Sequence, residues 1–393
     1  MAGFGIVEII ALLLSLSGFG VRPNPKPMTA DQALEFAIAD ADVVAEIDLA
    51  SIVPGNYKVL TELPDQPPIK ASPALAKLVR DALNEVEGAR GAMKSASGID
   101  VTTDLTDATV FVQLVPNAQP SFVAAFHGKL SPAVITRIAE ASHRPAQKVG
   151  GGMMIENGGD PALGVTKSGV LLAGDAALVR ERLGVSWKAP SHAAGTNLGY
   201  AAEVIGAKPI LAVVMTMSKA ARELAGLAVG QNFLGDVIHR HKAAAFVVYR
   251  DGLGWMWADT TKGGFDSMAM VSDGMLDVMR AAQIAPRGLA KIAIGGLDSY
   301  RGQDKLVDDL ISHKDDILKL VTTYTGDGNF KVTQSKDAGA LKLTVRATGK
   351  SLSEVLPAGL IVPLAIVGFL TVHAPPPPVM MPAQKPALTP PHK

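Results

Sequence analysis

Cysteine is absent from the 393 residues of this chain. The absence excludes disulfide bonds, metal sites built on thiolates and a cysteine nucleophile. It does not fix the cellular compartment, because an exported protein without disulfides and a cytosolic protein that lacks cysteine look alike in composition. We take it as a slight indication of export.

An excess of charge of either sign is also missing. The chain has 37 Lys and Arg residues against 37 Asp and Glu residues, so its formal net charge is +0. Proteins that bind nucleic acid normally carry a basic patch or stripe. The densest basic stretches here are the short segments RPNPK and HRHK, and we therefore expect no nucleic-acid partner.

Familiar catalytic and cofactor-binding motifs are missing as well. The sequence has no G-x-x-x-x-G-K-[ST] phosphate loop, no H-E-x-x-H zinc helix and no G-x-S-x-G elbow. It therefore predicts no cofactor and identifies no catalytic residue. If the protein is an enzyme, its site is dispersed along the chain. The ionisable residues to inspect first are then His127, Asp251, His239 and His241.

The most prominent feature that is present is an apolar run at the N-terminal end, residues 1–21, whose only charge is Glu8. A helix of about 20 apolar residues can cross a bilayer. A cleavable signal peptide would carry a basic segment before its apolar core, whereas no Lys or Arg precedes residue 22. Residues 1–21 are therefore predicted to be either a signal peptide or an N-terminal membrane anchor.

Residues 3–8 of this run read GFGIVE. They resemble the processing site of type IV prepilins, in which a Gly-Phe step is followed by Glu four residues after the Phe. The resemblance implies a minor pilin-like assembly subunit with a helix that continues past residue 30. It covers six residues only: the leader lacks basic residues, and Pro23, Pro25 and Pro27 oppose a helix beyond Val21.

A second apolar run, residues 355–372, carries no charge at all. It is predicted to be a transmembrane helix, since Pro and Gly are tolerated better in membrane helices than in soluble ones. The alternative is a buried helix or strand pair of a soluble body. The residues predicted to contact the membrane are Val355, Leu356, Leu360, Ile361, Val362, Leu364, Ile366, Val367, Phe369 and Leu370.

A proline-rich tail, residues 373–393, follows the second run, with eight prolines in its last twenty residues. This composition is typical of an extended, disordered segment. Extended proline segments are read by aromatic-lined grooves of other proteins. The tail is therefore a candidate site for a protein partner.

The charges that flank the two runs indicate on which side of a membrane the body would lie. Arg22 and Lys26 lie on the body side of the first run, and Lys342, Arg346 and Lys350 precede the second. The positive-inside rule would place the body in the cytoplasm, but long domains translocate largely regardless of charge. The signal-like first run and the missing cysteines favour the opposite side. We expect a membrane-anchored protein with a periplasmic or extracytoplasmic body.

Between the two runs, the hydrophobic pattern alternates between a period of two and a period of 3.6. The pattern predicts an α+β fold with two similar halves, each an antiparallel sheet with helices packed on one face. The predicted divisions are a Pro-containing linker and lead-in at 22–41, a first half at 42–184, a connection at 185–208 and a second half at 209–348.

The first half is predicted to begin with a strand at 42–49, followed by a Pro-rich loop. Ser72-Pro73 and Ser131-Pro132 each place an N-cap residue before a proline at the first helical position, and so each predicts a helix start. The other predicted elements of this half are strands at 108–115, 121–130, 163–167 and 170–173 and a helix at 176–183.

The second half repeats this order. Asp251-Gly252 is a strong hairpin signal between predicted strands at 244–250 and 254–260. The other predicted elements are a strand at 209–217, a helix from Ser218 to His239, a Met-rich helix at 265–282, a strand near 290–297, a helix at 304–324 and a closing hairpin at 330–333 and 341–347.

Two groups of polar residues have the residue types of a cation site. His239 and His241 are weak metal candidates, because two imidazoles two apart on a strand face one way; basic residues at a helix C-terminus are the alternative. Asp100, Asp104 and Asp107 could hold calcium, but their spacing is not that of an EF-hand loop. Turn and cap roles are the alternative, and no metal site is predicted.

Three further patterns have a structural and a functional interpretation. Gly150 to Gly152 suggests a phosphate loop, yet MMIEN after it reads as a strand and not as a helix start. Trp255 and Trp257 share one strand face and are predicted to be core rather than a stacking platform. Core packing is likewise predicted for the methionines of one helix, which are Met268, Met270, Met275 and Met279.

The sequence thus favours a non-catalytic binding or scaffolding protein of the cell envelope, held to a membrane. The first alternative is a hydrolase-like enzyme whose groups converge from distant parts of the chain. The second is the pilin-like subunit.

Overall fold

The computed structural model describes residues 26–348 with gaps at 66, 116–117, 158–159, 224–240, 251, 260–265, 267, 275, 278–287, 289–290, 293, 296–300, 304, 325–330 and 337–341. The strands are β1 (Val43–Ile47), β2 (Leu105–Gln113), β3 (Ser121–Gly128), β4 (Gln147–Val149), β5 (Gly152–Asn157), β6 (Asp160–Val165), β7 (Leu171–Gly174), β8 (Leu211–Thr216), β9 (His241–Tyr249), β10 (Gly252–Asp259), β11 (Lys331–Lys336) and β12 (Lys342–Thr348). The helices with complete bounds are α1 (Ala30–Ala33), α2 (Leu49–Glu62), α3 (Pro67–Lys70), α4 (Pro73–Ser97), α5 (Ala133–Ser142), α6 (Ala176–Leu183), α7 (Asn197–Gly206), α8 (Lys305–Ser312) and α9 (Lys314–Tyr324). A 3₁₀ turn at Leu63–Asp65 links α2 to α3.

All the strands belong to one sheet of 12 strands, in the order β11-β12-β10-β9-β8-β1-β2-β3-β7-β6-β5-β4. Every recorded strand pair is antiparallel. The predicted antiparallel α+β fold is confirmed. The two halves do not build separate sheets, because β1 of the first half pairs directly with β8 of the second.

The two halves are related by a pseudo-twofold axis, which the strand registers define. It passes between Ala45 of β1 and Val213 of β8, which lie opposite each other. β2 and β9 are both 9 residues long, and β3 and β10 are both 8 residues long. The two hairpins even share an irregularity at the same place, where Leu105 pairs with Gly128 in one and His241 pairs with Asp259 in the other. The similarity of the halves therefore extends to individual residue positions.

Helices cover both faces of the sheet, although a single covered face was predicted. Successive residues of a strand point to opposite faces. Val44 and Val214 pack with the buried side of α7 on one face, whereas Ile47 and Leu211 pack with α2 on the other. We call these the α7 face and the α2 face. Both faces are needed because the central strands are apolar on both sides, so neither side can be left to water.

The largest core cluster lies on the α7 face and includes residues that were assigned to a linker. Leu34, Phe36 and Ala37 follow α1 and are buried in this cluster. A capping box between Thr29 and Gln32 starts α1. The buried guanidinium of Arg182 on α6 donates to the carbonyl oxygens of Phe36 and Ala37 at 2.7 and 2.9 Å. The lead-in is therefore part of the folded core.

Two further elements differ from the prediction in kind. Residues 49–62 were taken as loop but form α2, because Asp48 accepts from the backbone N–H of Ser51 at 2.9 Å and so starts the helix. The predicted strand near 290–297 is wrong, since residues 291, 292, 294 and 295 are helical.

The predicted connection at 185–208 contains α7. Thr196 caps this helix through the backbone N–H of Gly199 at 3.1 Å. Leu198, Ala201 and Val204 then fall on its buried side, at the spacing of an amphipathic helix. The segment therefore packs on the sheet instead of only linking the halves.

Asp309 on α8 provides a polar contact between the halves. Its carboxylate accepts from the backbone N–H of Ala74 at 2.7 Å and from the hydroxyl of Ser72 at 3.1 Å. His313, one turn further on, lies 3.3 Å from its other oxygen. Asp309 of the second half therefore provides an acceptor at the start of α4, and the hydroxyl of Ser72, at the predicted cap position, takes part in the same contact.

Replacing Asp309 by Ala should lower the free energy of unfolding by about 1–2 kcal/mol, because the backbone N–H of Ala74 and the hydroxyl of Ser72 lose this acceptor at the start of α4. Chemical denaturation of the full chain measures the loss. Asp316→Ala is the matched control, since Asp316 is an exposed carboxylate on α9 and should cost less than about 0.5 kcal/mol. Equal losses of unfolding free energy in the two variants would show that the contact of Asp309 with α4 does not stabilise the fold.

Both apolar terminal runs, including residues 355–372, lie outside the described residues. Among the residues that are described, no helix is long and apolar enough to span a bilayer, so they give no support to the membrane prediction. The pilin-like alternative requires one helix that runs past residue 30. Residues 27–29 are not helical, and Thr29 begins a new helix in an extended conformation. The continuous helix that the pilin-like alternative requires is therefore not found at residues 27–29.

Candidate functional site

Four polar side chains lie under the α7 face where β1, β2 and β3 run side by side. Glu46 on β1 is opposite Thr109 on β2, and Asp107 on β2 is opposite His127 on β3. Directly opposite residues of an antiparallel pair have Cβ atoms about 4.5–5.5 Å apart. We call Glu46, Thr109, Asp107 and His127 the polar cluster.

The polar cluster is withdrawn from water. Glu46 and Asp107 are each 4% exposed and Thr109 is 0% exposed. Phe36 lies against His127, with 6.4 Å between the ring centroids. One atom of each member, namely Glu46 Oε2, Asp107 Oδ1, Thr109 Oγ1 and His127 Nε2, is buried without a hydrogen-bond partner among the described residues. Buried polar atoms without partners are rare in folded proteins and are costly.

Burial sets the protonation of these groups. It raises the pKa of Glu46 to about 8, with further increases from the charges of Asp107 and Asp48. It raises the pKa of Asp107 to about 6, although a hydrogen bond from Thr106 lowers it in part. Burial also lowers the pKa of His127 to about 4. At neutral pH, Glu46 and His127 are therefore mainly uncharged while Asp107 is mainly ionised.

The sequence pointed to two members of the polar cluster, His127 as an ionisable residue and Asp107 as a possible calcium ligand, but gave no reason to join them. A signal for Glu46 was nonetheless present. In the strand DVVAEIDL, Glu46 shares a face with Val44, which is buried. A charged residue in register with a core residue on a central strand is the pattern that would have identified it. Asp107 and Thr109 needed the strand pairing as well.

The aspartates proposed as calcium ligands do not converge. Asp100 is held by Arg90, whose Nη2 lies 2.8 Å from it, and by Lys94 at 3.2 Å. These hydrogen bonds hold the pKa of the Asp100 carboxyl well below its usual range. Asp104 accepts from the backbone N–H of Asp100 at 2.8 Å, while Asp107 lies in the polar cluster. The first two therefore have turn roles, as the alternative predicted, and Asp100 also forms ion pairs.

Of the two histidines proposed as metal ligands, the structure describes His241. His241 begins β9, is fully buried and packs against the ring of Trp257, with 5.5 Å between the ring centroids. His239 lies outside the described residues, as does Asp251. Within the described part of the chain, no group of three or more His, Asp or Glu side chains could hold a metal ion.

The aromatic and glycine patterns have structural roles. Trp255 is buried in a cluster with Leu276 and Val345 on the α2 face, and its indole N–H donates to Ser272 at 3.0 Å. The core prediction is confirmed for it. Gly150 has a φ of +50° in the turn between β4 and β5, and β5 follows as predicted.

The methionine pattern is confirmed in part. Met268 is buried and Met270 is 77% exposed. Met275 lies outside the described residues, as does Met279. The helix segment around residue 270 therefore buries one methionine and exposes another.

A groove lies on the same α7 face, in the second half. It holds about 250 Å³ of empty space, including the part open to solvent. Ala243, Ala245 and Ala258 form its floor, and Tyr200 on α7 forms part of its wall. Lys342 and Glu203 form an ion pair at its rim. Only about 10 Å³ of this space is enclosed enough for a water-sized group, which is room for about one water molecule, so the groove could admit only a very small group.

The polar cluster and the groove occupy equivalent positions of the two halves. The pseudo-twofold matches Glu46 with Val214, Asp107 with Ala243, Thr109 with Ala245 and His127 with Ala258, as the strand registers require. All four counterparts line the groove. The groove therefore exists because small side chains stand where the first half has larger polar ones.

Filling the groove with Ala258→Leu should leave the free energy of unfolding unchanged or raise it by about 1–2 kcal/mol, because the added carbons enter empty space. Ala201→Leu is the matched control, since Ala201 is fully buried on the sheet side of α7. It should lose about 1–3 kcal/mol by overpacking. Chemical denaturation compares the two, and a similar loss in both would mean that the groove is not empty.

Comparison with known proteins adds little. No family model and no curated protein matches this chain. A solved structure described as "Structure of crystal form IV of TP0453" overlaps with 57% of this chain and 78% of its own, at 12% sequence identity and a TM-score of 0.32. At that level, the overlap carries no argument about fold or function.

Proposed function

We propose that the protein is a membrane-anchored, non-catalytic binding or scaffolding protein of the cell envelope with an extracytoplasmic body. One observation carries the proposal: residues 355–372 form an apolar run without any charge, and residues 1–21 form another whose only charge is Glu8. An uncharged apolar run of about 18 residues is typical of a membrane span.

The groove under α7 supports the binding part of the proposal. Its floor is made of alanines and it carries one ion pair at the rim. Apolar walls with a few polar groups are typical of sites that bind small ligands. The proline-rich tail, residues 373–393, supports the scaffolding part, since extended proline segments dock into grooves of partner proteins.

Fractionation of cells that express the full chain tests the anchorage. The full chain should stay with the membranes after an alkaline carbonate wash, and deletion of residues 355–372 should release most of it. Protease added to spheroplasts should digest the body without lysis of the inner membrane.

Deletion of residues 373–393 is the matched control, because it should leave membrane association intact and remove only proteins that co-purify through the tail. A full chain that washes off with carbonate would contradict the anchorage. A body that is digested only after lysis would place it in the cytoplasm.

A hydrolase-like enzyme is the second candidate, and the polar cluster is the observation that favours it. An uncharged carboxyl on Glu46 could donate a proton while an ionised Asp107 accepts one, as in paired-carboxylate sites. Substrate would have to enter beneath the α7 face, where these groups are now buried. Turnover of model esters or glycosides that disappears in Glu46→Gln would favour this candidate over the binding protein.

A further inference from the structure

The polar cluster lacks partners that a buried polar group requires. Four atoms of its four members are buried without a hydrogen bond among the described residues, although burial of an unpaired polar atom costs free energy. A carboxyl group that holds a proton gains a donor and loses its charge. Protonation therefore removes the free-energy cost of burying a charge at Glu46, and it does so without any change in packing.

We propose that Glu46 is a buried proton-binding site, and that release of its proton loosens the first half of the sheet around β1, β2 and β3. The site is built by the fold, since Glu46 lies on a central strand between Thr109 of β2 and Ala212 of β8. The second half has Val214 at the equivalent position and cannot respond in this way.

The groups that face Glu46 explain why its ionised form is unstable. Asp107 on β2 and Asp48 before α2 both act on it as like charges. Asp48 already accepts from the N–H and the hydroxyl of Ser51.

Among the described residues, no cation acts on the pKa of Glu46, which burial and the two like charges raise. The strand β8 (Leu211–Thr216) has no ionisable side chain. On α7, Glu203 pairs with Lys342. Beyond Asp107, His127 on β3 is uncharged at neutral pH because burial lowers its pKa.

The direction of the pH effect follows from these facts. Burial raises the pKa of Glu46 from 4.5 to about 8. The stabilisation from its protonated form is complete below about pH 4.5 and is lost as the pH rises towards 8. Asp107 acts in the same direction between its ordinary 3.8 and about 6. His127 acts oppositely, because its depressed pKa removes stability as the pH falls from 6.5 towards 4. Above pH 7, therefore, only Glu46 among these three still titrates.

Infrared difference spectroscopy of the full chain tests for the proton itself. The spectrum should show a protonated carboxyl band at pH 7 that disappears above about pH 8, and Glu46→Gln should lack this band at pH 7. Glu85→Gln is the matched control, since Glu85 is an exposed glutamate on α4 and its replacement should leave the band unchanged. Absence of the band at pH 7 in the unmodified chain would overturn the proposal.

Amide hydrogen exchange tests the consequence. Between pH 6 and pH 8, the exchange rate of β1–β3 in the unmodified chain, divided by that in Glu46→Gln, should rise by about tenfold per pH unit, because the open form holds the Glu46 proton less tightly than the folded form over this range. The ratio should level off above about pH 8, and the same ratio for β8–β10 should not change with pH. Glu46→Val, which copies the residue of the second half, should behave like Glu46→Gln and covers the case in which Gln impairs folding. An exchange ratio for β1–β3 that does not change between pH 6 and pH 8 would contradict the proposal.

Discussion

The antiparallel pairing of β1 with β8 is the constraint on which the rest of the structure depends. Five residue pairs, from Val43 with Met215 to Ile47 with Leu211, join the two halves into one sheet. Because both strands then lie in the middle of the sheet, both need cover on two faces, and α7 and α2 supply it. The contact of Asp309 with the start of α4 adds a second link between the halves, this time between helices.

The two halves have equivalent strand registers, but different side chains occupy the equivalent positions. In the first half, the positions beneath the α7 face hold Glu46, Asp107, Thr109 and His127, and the space is full but polar. In the second half, the same positions hold Val214, Ala243, Ala245 and Ala258, and the space is apolar but incompletely filled. Each solution has a cost: buried polar atoms without partners in one half, and an open groove in the other. Sites that depart from ideal packing are where function is expected in a protein, and both such sites lie on one face here.

Local sequence signals predicted most of the secondary structure. The Ser72-Pro73 and Ser131-Pro132 pairs marked the starts of α4 and α5, and Asp251-Gly252 marked the turn between β9 and β10. Where a signal depended on a neighbour in space, the prediction from sequence was incomplete. One acceptor at the start of α4 comes from Asp309, more than two hundred residues away, and the pairing of β1 with β8 cannot be read from either strand alone. The helix α7 was missed for a different reason: its alanines and glycines resemble a linker, although Leu198, Ala201 and Val204 have helical spacing.

The candidate site was harder to predict than the fold. Periodicity identified His127 only as an ionisable residue and gave no reason to join it to Glu46, since their contact depends on the registers of β1 with β2 and β2 with β3. The two apolar terminal runs are the opposite case. They are conspicuous in the sequence, while the described body neither requires nor excludes them.

The pairing of β1 with β8 can be tested directly because the chain has no cysteine of its own. A double variant with Ala45→Cys and Val213→Cys places two thiols on directly opposite residues, within reach of a disulfide after modest adjustment. In Ala45→Cys with Ala212→Cys, the two thiols lie on opposite faces of the sheet. Mild oxidation followed by electrophoresis of the unreduced protein is the measurement. The account predicts an intramolecular disulfide in the first variant and none in the second. Cross-linking in the second variant, or only between molecules in the first, would contradict the single twelve-stranded sheet.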